Sequence, residues 1–594
     1  METTSDRVYE LTFNLLCVDR MNDPSVNFRR RSLVQFTIVV LSILSVANGQ
    51  STCLFMRETP FDLTEMPKEP QNPSNLTYCR PIDRTCCTAG IEAEMEDYAR
   101  LAVDRFVHDH LVLLRHTLDD FARDFRAHFR NALRSTERQL DRMFSATYGH
   151  FYSNNAKIFN DFFDELDEQF AVDDQPRSAV KTALGSLFRK IFITEFSLLN
   201  PMRQVSDTER HCMTRIQTHM RPFGQIPTKI ATQLDRSFAT WKSVVNTLER
   251  TSILLINVAD RLQLSSQCTG ALVRLRECHV CSGVSVETRP CLGFCLNVLR
   301  GCFAEVAELE SQWEELIDAL QLLAPRLKGA SNPYLAMAPI PVQISEAIML
   351  FQEKGDALSS RIIFQCFEPI FRTKRSMDET KVDKPFIVPD GETAAKVLGE
   401  YLDAEYHKAD LVKKDVLLFS DRLSRMRGAW RALPAAICSD GQVAAPTGEG
   451  CWNGNQVASY RRPLAANGIR GQKKNPEFFD LKLSRETFIE ERIKLVAMAR
   501  RLNSVYDGKI GRRTESPMIE GSALEDLSGP DDEETLEGSA YNSDDEDQQA
   551  ESEVLGDLLD IRLLEQKRGN FGSSTRRNNW TIVLSVGAFL LFRF

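Results

Sequence analysis

The chain has 594 residues, is 43% hydrophobic and 26% charged, and contains 15 Cys with a formal net charge of −10. This composition excludes collagen-like and wholly disordered proteins, and the acidic balance argues against general nucleic-acid binding, which favours a basic face. The length allows several lobes of ~100–200 residues and a sizeable core. The charge is unevenly placed, because residues 514–561 hold 17 acids and no Lys or Arg. The sequence therefore describes a near-neutral body with an acidic tail.

The N-terminal residues 1–49 have the pattern of a secretory signal peptide. Three arginines at 29–31 precede an apolar run at 33–46, and Ala47 and Gly49 place small residues before a cleavage point at Gln50. A membrane helix is the alternative, but the run of ~14 residues is shorter than the ~20 that span a bilayer. The 28 residues before the arginines are long for a signal peptide, so Met21 remains an alternative start of translation to Met1.

The cysteine count indicates an oxidising compartment. Cys17 lies ahead of the cleavage point, which leaves an even number that predicts up to seven disulfides, with a pairing that spacing does not reveal. A zinc site at the closely spaced 278–295 cysteines is the alternative. It is disfavoured because no second CxxC follows and the thiols enter the secretory route. The disulfide candidates are Cys53, Cys79, Cys86, Cys87, Cys212, Cys268, Cys278, Cys281, Cys291, Cys295, Cys302, Cys366, Cys438 and Cys451.

One N-glycosylation sequon, Asn75-Leu76-Thr77, remains in the predicted mature chain. A second one, at Asn579, lies in a C-terminal segment that we expect to be removed. The sequence therefore predicts a single N-glycan at Asn75.

The body of the chain is predicted to be mainly helical. Residues 91–145 carry one apolar stripe at intervals of three and four, and a second stripe starts at Phe159. Strand-like alternation is rare, so the fold class is all-α, and the many phenylalanines are expected in the core. The first stripe comprises Leu114, Leu118, Phe121, Phe125, Phe129 and Leu133. Further periodic segments occur near 186–199, 228–264, 303–327 and 393–432.

Catalytic motifs are not found in the sequence. His108, His110, His116 and His128 lie on or near the long helix without forming an HExxH motif, and no dinucleotide loop, P-loop or GxSxG occurs. We therefore expect no enzyme activity, no cofactor and no metal site, with the histidines exposed or packed. A secreted enzyme with an unrecognised site stays open as an alternative.

A basic sequence interrupts the body at 372–375. Arg372, Lys374 and Arg375 form a dibasic site with Arg at the fourth position before the cut, which suits a proprotein convertase. The polar residues that follow favour an exposed, cleavable loop, and an ordinary solvated basic turn is the alternative. The site divides the predicted core into residues 50–375 and 376–510, which disulfides could keep joined after cleavage.

A second group of cations lies further along, in a loop-like region. Arg461, Arg462, Arg470, Lys473 and Lys474 form a loose basic patch. It could contact a sulfated sugar, although a solvated face is the plainer interpretation.

Residues 511–572 are predicted to be a disordered acidic stalk, extended by self-repulsion. Ser528-Gly529 lies between acidic groups there, which is the context in which a xylosyltransferase starts a glycosaminoglycan chain. Ser522 and Ser539 are weaker acceptors, because Ala replaces the following Gly. An acidic linker without sugar is the alternative.

The C-terminus has the order of a glycosylphosphatidylinositol (GPI) anchor signal. Small residues at 569–574 and a polar spacer at 575–579 precede an apolar tail at 580–592, which is too short to span a bilayer as a helix. We expect lipid attachment at Gly572, or alternatively at Asn570, with removal of 573–594. A buried C-terminal helix is the other interpretation.

The cysteine-rich segment 278–302 resembles the signature of the glypican family, and Thr85-Cys86-Cys87-Thr88 before a long helix resembles the start of a glypican core. The similarity covers about 53–480, and the order of signal, cysteines, convertase site, stalk and anchor extends it. One departure is a loop from Gly283 to Pro290 that is one residue longer than usual. The matching positions are Cys278, Cys281, Gly283, Pro290, Cys291, Phe294, Cys295, Val298, Gly301 and Cys302.

The resemblance implies an elongated, disulfide-stapled helical core held at the outer face of the plasma membrane by GPI lipid, with shedding left open. It implies heparan sulfate at Ser528, cleavage after Arg375, and a co-receptor role for heparan-binding growth factors and morphogens of the Wnt, Hedgehog, BMP and FGF classes and their receptors. Because family members often carry two or more chains, the use of Ser522 and Ser539 stays open. The alternative function is a GPI-anchored binding or adhesion protein without glycosaminoglycan.

Overall fold

The computed structural model describes residues 66–508, apart from Ser74, 82–83, 172–178, 368–390 and 447–449, together with Cys53, Met56, Thr59 and Phe61. Within these residues every regular element is a helix, and β pairing is limited to isolated bridges such as that between Gln71 and Thr85. The predicted all-α, disulfide-stapled fold is therefore confirmed.

Seventeen α-helices follow one another in this part of the chain. They are α1 (Ala89–Tyr148), α2 (His150–Ser153), α3 (Lys157–Ala171), α4 (Ala179–Leu199), α5 (Asp207–Met220), α6 (Ile226–Arg261), α7 (Ser266–Arg276), α8 (Cys278–Cys281), α9 (Leu292–Cys302), α10 (Glu310–Lys328), α11 (Pro333–Met337), α12 (Ile340–Glu353), α13 (Gly355–Cys366), α14 (Gly391–Arg425), α15 (Ala429–Cys438), α16 (Gly468–Gly471) and α17 (Ile489–Tyr506). Two 3₁₀ turns, Val306–Leu309 and Gln472–Lys474, precede α10 and follow α16.

The chain divides into two compact units. The smaller unit combines the residues up to Met95 with Glu277–Thr288. It holds three disulfides, Cys53–Cys86, Cys79–Cys278 and Cys87–Cys281. Since the described residues ahead of α1 contain little regular structure, these disulfides are the main bonds that fix them.

A buried carboxylate adds to this fixation. Glu92, in the first turn of α1, accepts the backbone N–H groups of Thr77, Tyr78 and Cys79 at 2.5, 2.8 and 2.7 Å. A charged acceptor for three backbone donors holds the segment more tightly than neutral contacts would.

The larger unit, Glu96–Arg276 with the chain from Arg289 onwards, is built on long helices. The predicted apolar stripe of α1 is buried along its whole length. The ring of Phe125 packs edge-on against Trp241 of α6 at 5.2 Å and Phe419 of α14 at 5.1 Å. The phenylalanine stripe is therefore core, as expected.

Two further helices, α10 and α17, belong to this bundle, and their contacts show the direction in which each helix runs. α10 and α17 run parallel, because Gln312 contacts Arg492 near their N-termini and Arg326 contacts Val505 near their C-termini. α6 runs the opposite way, since Arg261 in its last turn lies 2.7 Å from Glu490. The N-termini of α10 and α17 consequently lie beside the C-terminus of α6, and the cysteine-rich helices follow directly from this end.

One segment could be mistaken for a membrane span. Pro333–Glu353 is 21 residues long with a mean hydropathy of 1.4, enough by length and composition to cross a bilayer. However, the segment is divided into α11 and α12, and 56% of its 18-residue apolar window is buried inside the protein, as expected of core helices.

A buried acid lies where α4 meets α12. Gln352 Nε2 donates to Glu195 Oε2 at 3.1 Å, and the Glu195 carboxyl forms no ion pair with the residues that the structure describes. Burial raises the pKa of Glu195 to about 7, and the hydrogen bond from Gln352 opposes this only in part.

We therefore expect a Glu195→Gln variant to be more stable than the wild type at neutral pH. The folded protein holds its proton up to about pH 7, whereas an unfolded Glu releases it near pH ~4.3. This acid consequently lowers stability as the pH rises from about 4.5 to 7, by ~2–3 kcal/mol in total. Thermal melting at pH 5 and pH 7.5 should show a difference between the variants that grows with pH. The exposed Glu353→Gln control should show no such trend.

Candidate functional site: the cysteine-rich helix and the basic loop

Three disulfides converge on α9, the helix that ends the cysteine-rich segment 278–302. Cys291, just before it, is bonded to Cys451, and Cys295 within it is bonded to Cys438. Its last residue, Cys302, is bonded to Cys268 at the start of α7. This short helix is thereby tied to a preceding helix and to two segments more than 140 residues further along the chain.

Asn297 of α9 organises the loop that lies over the helix. Its side-chain amide donates to Tyr460 Oη at 2.8 Å and to the Pro463 carbonyl at 2.9 Å, and its Oδ1 accepts the N–H of Ala465 at 2.8 Å. The Asn475 side chain donates to the Asn297 carbonyl at 2.7 Å. The fully buried Asn297 thus contacts the loop near both of its ends, at residues 460–465 and at Asn475.

Neighbouring residues of α9 complete the contact. Arg300 Nη1 donates to the Ala465 carbonyl at 2.7 Å. Gly293 and Gly301 lack side chains where the loop approaches most closely: a Cβ on Gly301 would overlap the Phe478 ring, and one on Gly293 would lie 2.9 Å from the Tyr460 ring. The Gly, Asn and Arg positions of the segment therefore serve the docking of residues 460–478.

Residues 460–477, which we call the basic loop, are also held from within. Gln472 Nε2 donates to the carbonyls of Ala466 and Gly468, each at 2.9 Å. Tyr460 Oη donates to Glu477 Oε1 at 2.6 Å. Burial raises the pKa of Tyr460, and this hydrogen bond raises it further. Glu308 Oε1, from the 3₁₀ turn before α10, accepts the N–H of Ile469 at 2.9 Å. The loop is irregular but fixed in place.

The cations of the predicted basic patch all lie on this loop and are exposed. Arg462 pairs with Glu477 at 3.1 Å. In the described part of the chain, no carboxylate pairs with Arg461, Arg470, Lys473 or Lys474. The loop therefore presents positive charge to solvent on a rigid support.

The zinc alternative is excluded by the pairing of the cysteines. Cys278 and Cys281 are bonded to Cys79 and Cys87, so neither thiol is available to a metal. The remaining disulfide, Cys212–Cys366, joins α5 to α13. Among the residues placed by the structure, no group of His, Cys, Asp or Glu could hold a metal ion. His108 and His116 are exposed, His110 is buried, and His128 contacts Asp415 at 2.8 Å.

The predicted N-glycosylation residue lies in the smaller unit. Asn75 is exposed and has a positive φ of 65°, a conformation that Asn tolerates better than most residues. Thr77 of the sequon is also exposed.

The other predicted sites fall outside the described residues. These are the signal peptide, the convertase residues Arg372, Lys374 and Arg375, the stalk serines Ser522, Ser528 and Ser539, and the anchor residues Gly572 and Asn570.

The sequence did not reveal Asn297 or Arg300 as organising residues. Their partners lie more than 160 positions away, and only the folded chain brings them together. The one available signal was their place inside the cysteine-rich segment.

Comparisons with known proteins agree with this architecture. A family model described as Glypican matches residues 46–583. The chain is 26% identical to glypican-1 of Xenopus tropicalis over 534 residues, which covers 89% of this chain and 91% of that protein. It is 29% identical to glypican-2 of Mus musculus over 424 residues, covering 70% and 71%.

A solved structure gives the same result for the fold. The crystal structure of the full-length glypican-1 core protein superimposes with a TM-score of 0.62 at 26% identity, and the match covers 77% of this chain and 99% of that one. The family model spans almost the whole sequence, including the cysteine-rich segment and the basic loop. The chain therefore belongs to the glypican family of heparan sulfate proteoglycans.

Proposed function

We propose that this protein is a GPI-anchored heparan sulfate proteoglycan of the cell surface, which concentrates and modulates secreted growth factors and morphogens as a co-receptor. The observation that carries the proposal is Ser528-Gly529, flanked by acids, in a glypican-family chain whose last described helix ends at Tyr506. The ligand classes are those of the family: Wnt, Hedgehog, BMP and FGF.

The mechanism is electrostatic rather than catalytic. Sulfated chains at Ser528, and at Ser522 and Ser539 if these are used, carry dense negative charge beside an already acidic segment. Such charge attracts basic proteins over distances set by the ionic strength and raises their local concentration. The folded core positions these chains, and lipid at Gly572 keeps them at the membrane.

Two further modifications belong to the same proposal. An N-glycan at Asn75 is supported by the exposure of both Asn75 and Thr77. Convertase cleavage after Arg375 is supported by the position of the basic sequence, which lies between α13, ending at Cys366, and α14, beginning at Gly391.

Loss of the stalk serines is expected to abolish glycosaminoglycan addition. Wild-type protein from mammalian cells should run as a broad smear that heparinase collapses to a sharp band. Ser528→Ala/Ser522→Ala/Ser539→Ala should run as the sharp band without treatment. Ser543→Ala, which removes a serine from the same acidic stretch but not from a Ser-Gly or Gly-Ser-Ala site, should keep the smear.

An unchanged smear in the triple variant would refute the stalk assignment. A sharp, heparinase-insensitive wild-type band would instead favour the alternative function, a GPI-anchored binding or adhesion protein without sugar chains. Release from cells by phosphatidylinositol-specific phospholipase tests the anchor separately, because it does not depend on the sugar.

A further inference from the structure

The basic loop combines dense positive charge with a fixed conformation. Residues 461–476 contain five Lys or Arg and no Asp or Glu. Of these five cations, Arg462 pairs with an acid, Glu477, at 3.1 Å. Among the residues that the structure describes, the other four form no ion pair, so most of the positive charge on the loop faces solvent without a carboxylate partner.

The cations lie close to one another. Arg462 Nη1 donates to the Pro476 carbonyl at 3.0 Å. Lys474 is two positions before Pro476, so their Cα atoms are at most ~7 Å apart. Arg470 and Lys473 are three residues apart across the junction of α16 and the 3₁₀ turn, where such positions lie on one side. The two halves of the loop thus bring their cations to the same region.

The fixed backbone of the basic loop favours ligand binding by this cluster of cations. Long cationic side chains on a mobile loop lose conformational entropy when a ligand orders their backbone. Here Asn297 and Arg300 bind the loop backbone, and Gln472 closes it upon itself, so that cost is already met during folding. Pre-organised cations of this kind suit a ligand with repeated anionic groups along its length.

We propose that the basic loop is a binding site for sulfated polysaccharide of the heparan sulfate class, recognised by Arg461, Arg462, Arg470, Lys473 and Lys474. The contact is non-covalent and belongs to the folded core, so it is separate from chain attachment on the stalk. Because it displaces counterions from a polyanion, its affinity falls with added salt, by a logarithmic slope of about 0.7 for each cation engaged.

The test uses full-length Ser528→Ala/Ser522→Ala/Ser539→Ala protein purified in detergent, so that binding cannot depend on the protein's own chains. Its affinity for a size-defined heparin fragment is measured by calorimetry between about 0.1 and 0.4 M NaCl. Adding Lys473→Ser/Lys474→Ser should reduce the affinity about tenfold near 0.15 M NaCl and lower the salt slope by about 1.4, as two lost contacts require.

The matched control is Lys229→Ser/Lys354→Ser in the same background. Both lysines are exposed, and Lys229 lies in the first turn of α6, ~48 Å along that helix from Arg261. The control removes the same net charge, and its affinity should stay within twofold of the parent. All variants should keep the parent melting temperature, because the replaced side chains are exposed and form no hydrogen bond or ion pair with the described residues.

Several outcomes overturn the proposal. These are no heparin binding by the parent, an equal loss in the loop variant and the control, or equal binding of fully desulfated heparin. Stronger binding to phosphatidylserine vesicles than to heparin would identify a lipid surface instead. Failure of the stalk serines to carry chains would leave this measurement unaffected, so the two proposals can fail independently.

A final arm identifies the source of the polysaccharide. If the protein's own chains occupy the loop, glycanated wild type should bind the heparin fragment more weakly than the triple-serine variant, and heparinase should restore the affinity. Equal affinities in the two forms would support a site that receives chains from other molecules.

Discussion

Convertase-treated wild-type protein is expected to run as one species without reductant and as two species with it. Two disulfides, Cys291–Cys451 and Cys295–Cys438, join residues before the predicted cut at Arg375 to residues after it. The other five disulfides join residues on the same side of the cut. These two bonds alone therefore connect the fragments covalently.

The variants follow from this topology. Cys291→Ser/Cys451→Ser and Cys295→Ser/Cys438→Ser each leave one connecting bond, so the cut protein should still run as one species without reductant. The combined four-residue variant should separate into two fragments under denaturing, non-reducing conditions. Non-reducing and reducing gels of the cleaved proteins make the measurement.

The controls separate cleavage from connection. Arg375→Ala should stay uncut and run as one species under every condition. A wild type that is not cut by a furin-type convertase would refute the predicted cleavage site. Separation of either two-residue variant without reductant would contradict the disulfide pairing, whereas poor secretion of the four-residue variant alone would reflect a stability loss of ~2–5 kcal/mol for each bond.

The helices with one clear apolar face were predictable from sequence. The stripe from Leu114 to Leu133 gave α1, because that helix buries one side and exposes the other. The segment near 228–264 corresponds to α6, although residues 240–248 of that helix are buried on every side. The segment near 393–432 proved to be two elements, α14 and α15, since Gly428 adopts a left-handed conformation with φ 72° between them.

Other parts were hidden for a physical reason. α17 escaped the periodicity analysis because polar residues lie on its buried side: Glu491 is fully buried and contacts Arg261, and the nearly buried Arg492 contacts Gln312. The disulfide pairing was equally hidden, since Cys79 and Cys278 are 199 residues apart and no local rule relates them. The same holds for the basic loop, whose cations were visible but whose attachment to Asn297 was not.

Replacement of Glu310 by Ala is expected to destabilise the larger unit by ~3–5 kcal/mol, because three backbone N–H groups lose an acceptor at ~1–3 kcal/mol each. This carboxylate is fully buried at the start of α10. Its Oε1 accepts the N–H of Gly428 at 2.9 Å, and its Oε2 accepts those of Trp430 and Arg431 at 2.9 and 3.1 Å. Burial raises the pKa of Glu310, while the bonds from Arg431 and Trp430 oppose that rise.

The loss of stability in Glu310→Ala is expected to be large because the Glu310 carboxylate caps a helix. It caps α15, where the positive end of the helix dipole and unpaired N–H groups favour an anion. α15 ends at Cys438, which is bonded to Cys295 of α9, so a loosened cap also weakens the support of the basic loop. Glu310→Ala should therefore lower the melting temperature and the secreted yield together.

Two comparison variants make this result interpretable. Glu310→Gln retains one acceptor oxygen and should cost less, ~1–3 kcal/mol. Glu315→Ala removes an exposed acid from the same helix and should change the stability by no more than ~0.5 kcal/mol. Melting of the three purified variants, followed by circular dichroism at one pH, ranks them. Equal melting temperatures for Glu310→Ala and Glu315→Ala would show that the capping contact contributes nothing to stability.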